Sequence, residues 1–250
     1  MEFEGEYLFN KKWNGKGYNE YGDIIYELIN GTGKIKEYNI TENLIFEGEY
    51  LNGKKNGKAK EYYFYNSQLI FEGEYLNGKR NGKGKEYDLN GRLIFEGEYL
   101  NGKKWNGKAK EYDLDNNIRS EFEYLNGNKI KGIEFINKRL EYEGEYKFNK
   151  KWNGKGYDDN GDIIYELNNG SGKIIEYNEF GRIIFEGEYL NGKRNGKGKE
   201  FNDNFGLLYL SYEGEYLNDK RNGKGKEYDE NNNVVFEGEY SNGKRNIKSS

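Results

Sequence analysis

Polar and apolar positions alternate with period two in a short stretch that returns along the chain. In LIFEGEYL, Leu93, Phe95, Gly97 and Tyr99 fall on one side, while Ile94, Glu96, Glu98 and Leu100 fall on the other. That is the pattern of a half-buried strand. A turn, NGKKWNG, follows, then a second short strand, KAKEY at Lys108–Tyr112, and a returning turn, DLDNN. Asn-Gly marks a tight turn because both residues tolerate positive φ. No segment sustains a helical period. Such units open at Phe3, Tyr26, Phe46, Phe71, Phe95, Ser120, Tyr142, Tyr165, Phe185, Tyr212 and Phe236, about 20 to 27 residues apart, the spacing of a repeat architecture. The pattern predicts an all-β fold, an elongated single-layer antiparallel meander of about eleven stacked β-hairpins.

A longer period lies over the short one. Residues 3–62 recur without gaps at 142–201: FNKKWNGKGY stands at Phe9–Tyr18 and Phe148–Tyr157, and GDIIYEL at Gly22–Leu28 and Gly161–Leu167. The degenerate copy SEFEYLNGNKIKGIEFINKRLE, residues 120–141, forms the seam. Because no linker composition interrupts the pattern, residues 1–250 read as a single continuous array. Gly97, between Phe95 and Tyr99, leaves room for a ring to lie on backbone, and Gly82/Gly84, Gly196/Gly198 and Gly223/Gly225 are expected to do the same on the second strand. Glu on the opposite face is expected to pair with Lys across strands, each pair contributing ~0.2–1 kcal/mol.

Composition narrows the chemistry. Only 34% of the 250 residues are hydrophobic, and 25 Tyr and 14 Phe carry much of that, so the core must be built from rings rather than aliphatic layers. The chain holds 40 basic and 44 acidic residues. That balance lacks the basic excess of a duplex-binding module, so no nucleic acid is expected as a partner. Cys and His are both absent, which removes disulfides, thiolate chemistry, the common catalytic triads and Cys/His zinc sites. The lack of Cys fits an intracellular, cytoplasmic setting. No apolar run approaches the ~18 residues of a membrane helix, so no transmembrane segment is expected.

The recurring wording FEGEYLNGKRNGKGKEY, continued by a returning turn such as DLNG, resembles the MORN repeat, the membrane occupation and recognition nexus motif, in its variant form. The motif runs Tyr-x-Gly-Glu-aromatic, Gly-Lys, then His-Gly-x-Gly. This chain departs from it in one regular way: Asn81, Asn195 and Asn222 stand where the family has His. The resemblance implies stacked hairpins and roles in scaffolding, membrane-proximal tethering, lipid contact or dimerisation.

Candidate chemistry is sparse. Carboxylate pairs such as Glu96/Glu98 and Glu186/Glu188 recur in nearly every repeat, whereas an active site is singular. GKKWNGKA at Gly102–Ala109 has the Gly-x4-Gly-Lys skeleton of a phosphate loop, but no Ser/Thr or helix follows. No catalytic residue, cofactor or metal site is therefore expected, and the chain reads as non-enzymatic. The NGKRNGKGK turns collect Arg80, Arg194, Arg221 and Arg245 with Lys54, Lys79, Lys103, Lys193 and Lys244. They read either as a basic edge for anionic lipid head groups or an acidic partner, or as a solvated edge balancing strand Glu. Trp13, Trp105 and Trp152 each enter as an extra residue before Asn-Gly. They serve either as anchors at a membrane or protein interface or as plugs folded over the neighbouring loop. The expected function is a scaffold for protein–protein interaction or assembly, with peripheral binding to anionic phospholipid, and so association with membrane or cytoskeleton, as the alternative. An uncapped final strand, Val235–Tyr240 followed by Ile247 in place of a glycine, adds the expectation of a homodimer or head-to-tail assembly.

Overall fold

The computed structural model describes residues 2–178, 180–204 and 206–246. Among them are twenty-two strands and no helix. They divide into two compact units: the described residues up to Lys110 with Glu123–Asn128, and Glu111–Phe122 with those from Lys129 onward.

In the first unit β1 (Glu2–Leu8), β2 (Lys11–Tyr18) and β3 (Ile24–Leu28) form an antiparallel sheet. The meander then runs through β4 (Gly33–Tyr38), β5 (Leu44–Leu51), β6 (Lys54–Tyr62), β7 (Leu69–Leu76), β8 (Lys79–Tyr87), β9 (Leu93–Leu100) and β10 (Lys103–Tyr112). Each strand pairs antiparallel with the next. Strands β10 and β11 (Ile118–Leu125) contribute residues to both units. The second unit continues with β12 (Asn128–Ile136), β13 (Arg139–Lys147), β14 (Lys150–Tyr157) and β15 (Ile163–Leu167). It ends with β16 (Gly172–Tyr177), β17 (Ile183–Leu190), β18 (Lys193–Asn204), β19 (Leu207–Leu217), β20 (Lys220–Tyr228), β21 (Val234–Ser241) and β22 (Lys244–Arg245). Two-residue β22 pairs with β21 through Tyr240–Arg245 and Ser241–Lys244. The expectation placed on Ile247 lies outside the described residues.

Local chemistry explains the hairpins. Asn77 (φ 51°) and Gly78 (φ 87°) close β7–β8 in the left-handed region, as the twist of a two-residue hairpin loop requires. The returning turns are built differently. The Asp88 carboxylate accepts the backbone N–H groups of Asn90 and Arg92, each at 2.9 Å, and Asp158 and Asp229 do the same in their own turns.

In each unit the core is built around a row of rings. Phe46, Phe71 and Phe95 in the first unit, and Tyr142, Phe185 and Tyr212 in the second, are fully buried. Most neighbours meet them edge-on: Phe71 lies 5.7 Å from Tyr75 and 5.2 Å from Tyr99 and so ties its own hairpin to the next, whereas Tyr165 stacks on Tyr142 at 16°. Glycine supplies the seat. A Cβ on Gly84 would stand 2.7 Å from two atoms of the Phe71 ring. Gly97 differs from expectation, because its Cβ would first meet the Asn106 carbonyl oxygen at 2.1 Å and Gly107 Cα at 2.6 Å. There the constraint is backbone against backbone.

Candidate functional site

The two faces of the sheet carry charge in different ways. On the aromatic face, Glu of one strand shares a row with Phe of the next: Glu61 pairs with Phe71, and Phe71 with Glu86. The Arg80 guanidinium lies 4.0 Å from the Phe71 centroid and bridges Glu61 at 2.5 Å and Glu86 at 3.1 Å. Lys104 closes on Glu86 at 2.9 Å. Burial pushes Glu86 up, but Lys104 and Arg80 outweigh it and hold its carboxyl below the ordinary range. The second unit repeats the device: Arg194 bridges Glu176 and Glu200 over Phe185, and Arg221 bridges Glu200 and Glu227 over Tyr212. Arg245 reaches Glu227 at 2.6 Å over Phe236. Hydrogen bonding from Arg245 is the main reason the Glu227 carboxyl falls to about 2.

These four arginines therefore stand elsewhere than on the basic edge expected from the turns. The strand register aims each side chain back over the ring face, where an aromatic surface receives it with two carboxylates, or with Glu227 alone for Arg245. What remains at the turn edge is Lys54, Lys79, Lys103 and Lys244, all exposed, with Lys193 half-buried. Lys54, Lys79 and Lys103 sit opposite Leu51, Leu76 and Leu100, each more than a third exposed.

The three tryptophans are half-buried bulge residues. Trp13 falls between the pairs Tyr7–Lys12 and Glu6–Asn14, and Trp105 and Trp152 occupy the same place in their hairpins. Each folds over the glycine of the next tight turn: Gly31 N–H donates to the Trp13 carbonyl at 2.7 Å, and a Cβ on Gly31 would stand 2.8 Å from the indole. Gly127 and Gly170 repeat this against Trp105 and Trp152. The insertion also moves the register by two residues. Gly97 pairs with Gly107, whereas Gly73 pairs with Gly84, the later glycine of its motif.

The opposite face holds a trough of about 820 Å³ in the first unit and one of about 900 Å³ in the second. The floor of the first is the backbone of Gly48, Ala59, Gly73, Gly84 and Gly97, with Ile25 and Ile35 at one end. Along one wall Lys36, Glu47, Lys60, Glu72, Lys85 and Glu96 stand in strict cross-strand register. The expected Glu–Lys pairs are here: Lys60–Glu47 at 3.8 Å and Lys85–Glu96 at 3.2 Å, both well solvated. The other wall runs Lys34, Glu49, Lys58, Glu74, Lys83, Glu98. Its carboxylates are held from below: Glu49 and Glu74 lean onto Gly57 and Gly82, and Glu98 accepts the Asn106 side-chain amide at 2.7 Å. Glu74 occupies the space a side chain on Gly82 (φ +95°) would fill and accepts the Lys83 N–H at 3.2 Å. Glu188 does the same at Gly196. In the hairpins without Trp the first glycine of NGKG thus seats a carboxylate, and only the second seats a ring, which revises the role expected for Gly82, Gly196 and Gly223. The signal in the sequence was the asymmetry of the motif, since only that first glycine follows Asn at the bulge.

One cluster escapes the repeat. Near the seam Lys151 lies between Glu134 at 3.0 Å and Glu141 at 2.9 Å, and the Tyr165 hydroxyl donates to Glu141 at 3.0 Å. Burial pushes the Glu141 carboxyl up. Glu141 substitutes for the second ladder carboxylate, which this hairpin lacks because Gly156 stands near that place. The cluster is the aromatic-face ladder continued through an irregular repeat.

No curated protein matches the chain. Among solved structures it is similar to a crystal structure of TcdB2-TccC3 without its hypervariable C-terminal region, at 11% identity over 92% of this chain and 15% of that one, with a TM-score of 0.25. It is also similar to a Photorhabdus luminescens Tc holotoxin pore carrying a TccC3 point mutation, at 8% identity over 89% of this chain and 12% of that one, with a TM-score of 0.21. The chain spans a small part of either. The MORN repeat family profile matches at residues 46–64, 71–91, 185–204, 212–234 and 236–246. Each match begins at the buried ring of an EGEY strand or at Phe236, its counterpart in β21, and runs through the turn that follows. These five segments are MORN repeats, a family whose repeats serve generally as interaction modules, and the hairpin array with its ring seats and NGK turns is a β-meander consistent with them.

Proposed function

We propose that the protein is a non-enzymatic intracellular scaffold that holds partner polypeptides in its two glycine-floored troughs. One observation carries the reading. The aromatic face spends its charges on itself, in desolvated bridges, whereas the trough charges are solvated and weakly engaged. Exposed pairs contribute at most about 1 kcal/mol, so a partner displaces them at little cost. The test is to select binders to the full chain from a random display library of ~15-residue peptides. Lys60→Glu with Lys85→Glu, and the equivalent Lys199→Glu with Lys226→Glu, should weaken the selected peptides at least about tenfold. Binders indifferent to all four changes would sink the reading.

A second reading has its own support. The exposed edge alternates Leu51, Leu76 and Leu100 with Lys54, Lys79 and Lys103. Apolar and cationic groups side by side suit an anionic lipid surface. Vesicle flotation with and without phosphatidylserine tests it: salt-sensitive flotation lost in Lys54→Glu/Lys79→Glu/Lys103→Glu supports the edge, and no flotation rejects it.

A further inference from the structure

The two signs of charge on the Glu74-type wall of each trough are engaged differently. Four of its six carboxylates fold down onto the bulge glycines: Glu49 onto Gly57, Glu74 onto Gly82, Glu188 onto Gly196 and Glu215 onto Gly223, each within 2.2 Å of where a Cβ would stand, while Glu98 and Glu239 stand exposed opposite Lys83 and Lys224. Its ammonium groups do not fold down. Lys34, Lys58 and Lys83 in the first unit, and Lys173, Lys197 and Lys224 in the second, are all exposed. Among the described residues none of these six side chains has an ion-pair or hydrogen-bond partner. On that alternating wall the lysines form a row of exposed cations that no carboxylate holds.

The spacing of that row is set by the sheet. The three lysines of the first unit stand on β4, β6 and β8, those of the second on β16, β18 and β20, so neighbours are two strands apart. Two strand spacings measure roughly 9.4–9.8 Å. A polyproline II helix turns once in three residues at a rise of about 3.1 Å, so every third side chain returns to the same side after about 9.3 Å. The two repeats agree to within about 0.5 Å per interval, and three lysines span only two intervals. An extended β-type ligand, at about 3.3 Å per residue with side chains alternating between faces, returns to the same side every 6.6 Å and does not keep step. The floor of glycine backbone is open along its length, which leaves room for a backbone without internal hydrogen bonds.

Building on the trough as a polypeptide site, we propose that its partner is an acidic polyproline II segment with a carboxylate at every third residue, each meeting one lysine of the row. Recognition is by charge and period together. The duplicated lysines give two such sites per chain, one in each unit.

The test uses the full chain and fluorescein-labelled synthetic peptides in fluorescence anisotropy. Three probes carry five charges each: (Glu-Pro-Pro)5, (Glu-Pro-Pro-Pro)5 and (Lys-Pro-Pro)5. The first should bind at least about fivefold tighter than the second, whose charges recur at about 12.4 Å, and at least tenfold tighter than the third. Raising salt should weaken it. Lys58→Glu/Lys83→Glu/Lys197→Glu/Lys224→Glu should lose it at least tenfold, and the corresponding Gln variant, less prone to disturb folding, should lose it severalfold. Lys54→Glu/Lys79→Glu/Lys103→Glu should leave it unchanged. Equal affinity for the two acidic peptides overturns the periodicity, and tighter binding of the basic peptide overturns the charge. Displacement of (Glu-Pro-Pro)5 by inorganic polyphosphate at equal charge, with no preference for the three-residue repeat, would assign the row to free polyanion instead. If library-selected peptides still depend on the trough while no acidic peptide binds, this inference falls and the trough reading stands. If those peptides also ignore the trough, both fall.

Discussion

Arg80→Met separates the two faces most sharply. Methionine keeps an apolar stem over Phe71 and removes the guanidinium. The cation–π contact is worth ~0.5–1 kcal/mol. Both carboxylates are about one-fifth exposed, 23% for Glu61 and 22% for Glu86. Removing one member of a fully buried pair costs ~3–5 kcal/mol because a charge is stranded. Here stranding is partial: Glu86 keeps Lys104 at 2.9 Å, and Glu61 keeps Lys55 at 3.9 Å. Scaling that cost by about half and adding the ring contact gives a loss of about 2–3 kcal/mol. Lys85→Met is the comparison. Its pair with Glu96 is 3.2 Å long but 44% and 56% exposed, and its loss should stay under about 1 kcal/mol. Urea denaturation followed by circular dichroism reads both, the Arg80 variant falling by roughly 1 M at the midpoint. Native-state hydrogen exchange across β7 and β8 reports the local loss even where a repeat array unfolds in parts. Adding Glu61→Gln to Arg80→Met should recover about 1 kcal/mol, since it removes the stranded charge. Equal losses for Arg80→Met and Lys85→Met, or no recovery in the double variant, would refute the assignment of the ladder to the desolvated face.

Gly84→Val places a branched side chain where the Phe71 ring lies, 2.7 Å from the new Cβ, and should cost about 1–3 kcal/mol by overpacking, read as a fall in the urea midpoint. Phe9 and Phe148 sit at φ 48° and 53°, where other hairpins carry Asn, and are 87% and 76% exposed. Phe9→Asn and Phe148→Asn should each stabilise by up to about 1 kcal/mol, because a bulky residue is strained in the left-handed region, seen as a rise in melting temperature. The Glu227 carboxyl, held mainly by Arg245 at about 2, titrates below its unfolded value of about 4.3. Its contribution is therefore fully present above about pH 4.3 and lost as pH falls through 2. The stability gap between the natural chain and Glu227→Gln, measured by urea titration, should be wide at pH 6 and nearly closed at pH 2.

The hairpin repeat was readable because its signals are local. Period-two alternation assigned Phe95, Gly97 and Tyr99 to one face, and Asn-Gly marked the turns. The sites were less readable. Arg80 and Lys79 are adjacent letters of a turn, yet one is locked over a ring and the other exposed. Parity along the strand separates them, but of the carboxylates that fix Arg80 only Glu86 is on its own strand, while Glu61 is on β6, two strands and nineteen residues away. The trough lysines were hidden for a similar reason. Lys83 and Lys85 read alike, but Glu74 folds onto Gly82 and Glu98, opposite Lys83, accepts the Asn106 amide, which leaves Lys83 without a partner.

By itself the amino-acid sequence determined where strands start and stop, which residues share a face, and that rings must pack on glycine, since each of these follows from backbone preferences and side-chain volume within a few residues. The tertiary structure decided which glycine seats a ring and which a carboxylate, and which cations are neutralised. Those outcomes depend on the register between hairpins, and the bulges at Asn-Gly and at Trp13, Trp105 and Trp152 set that register through contacts with the neighbouring repeat.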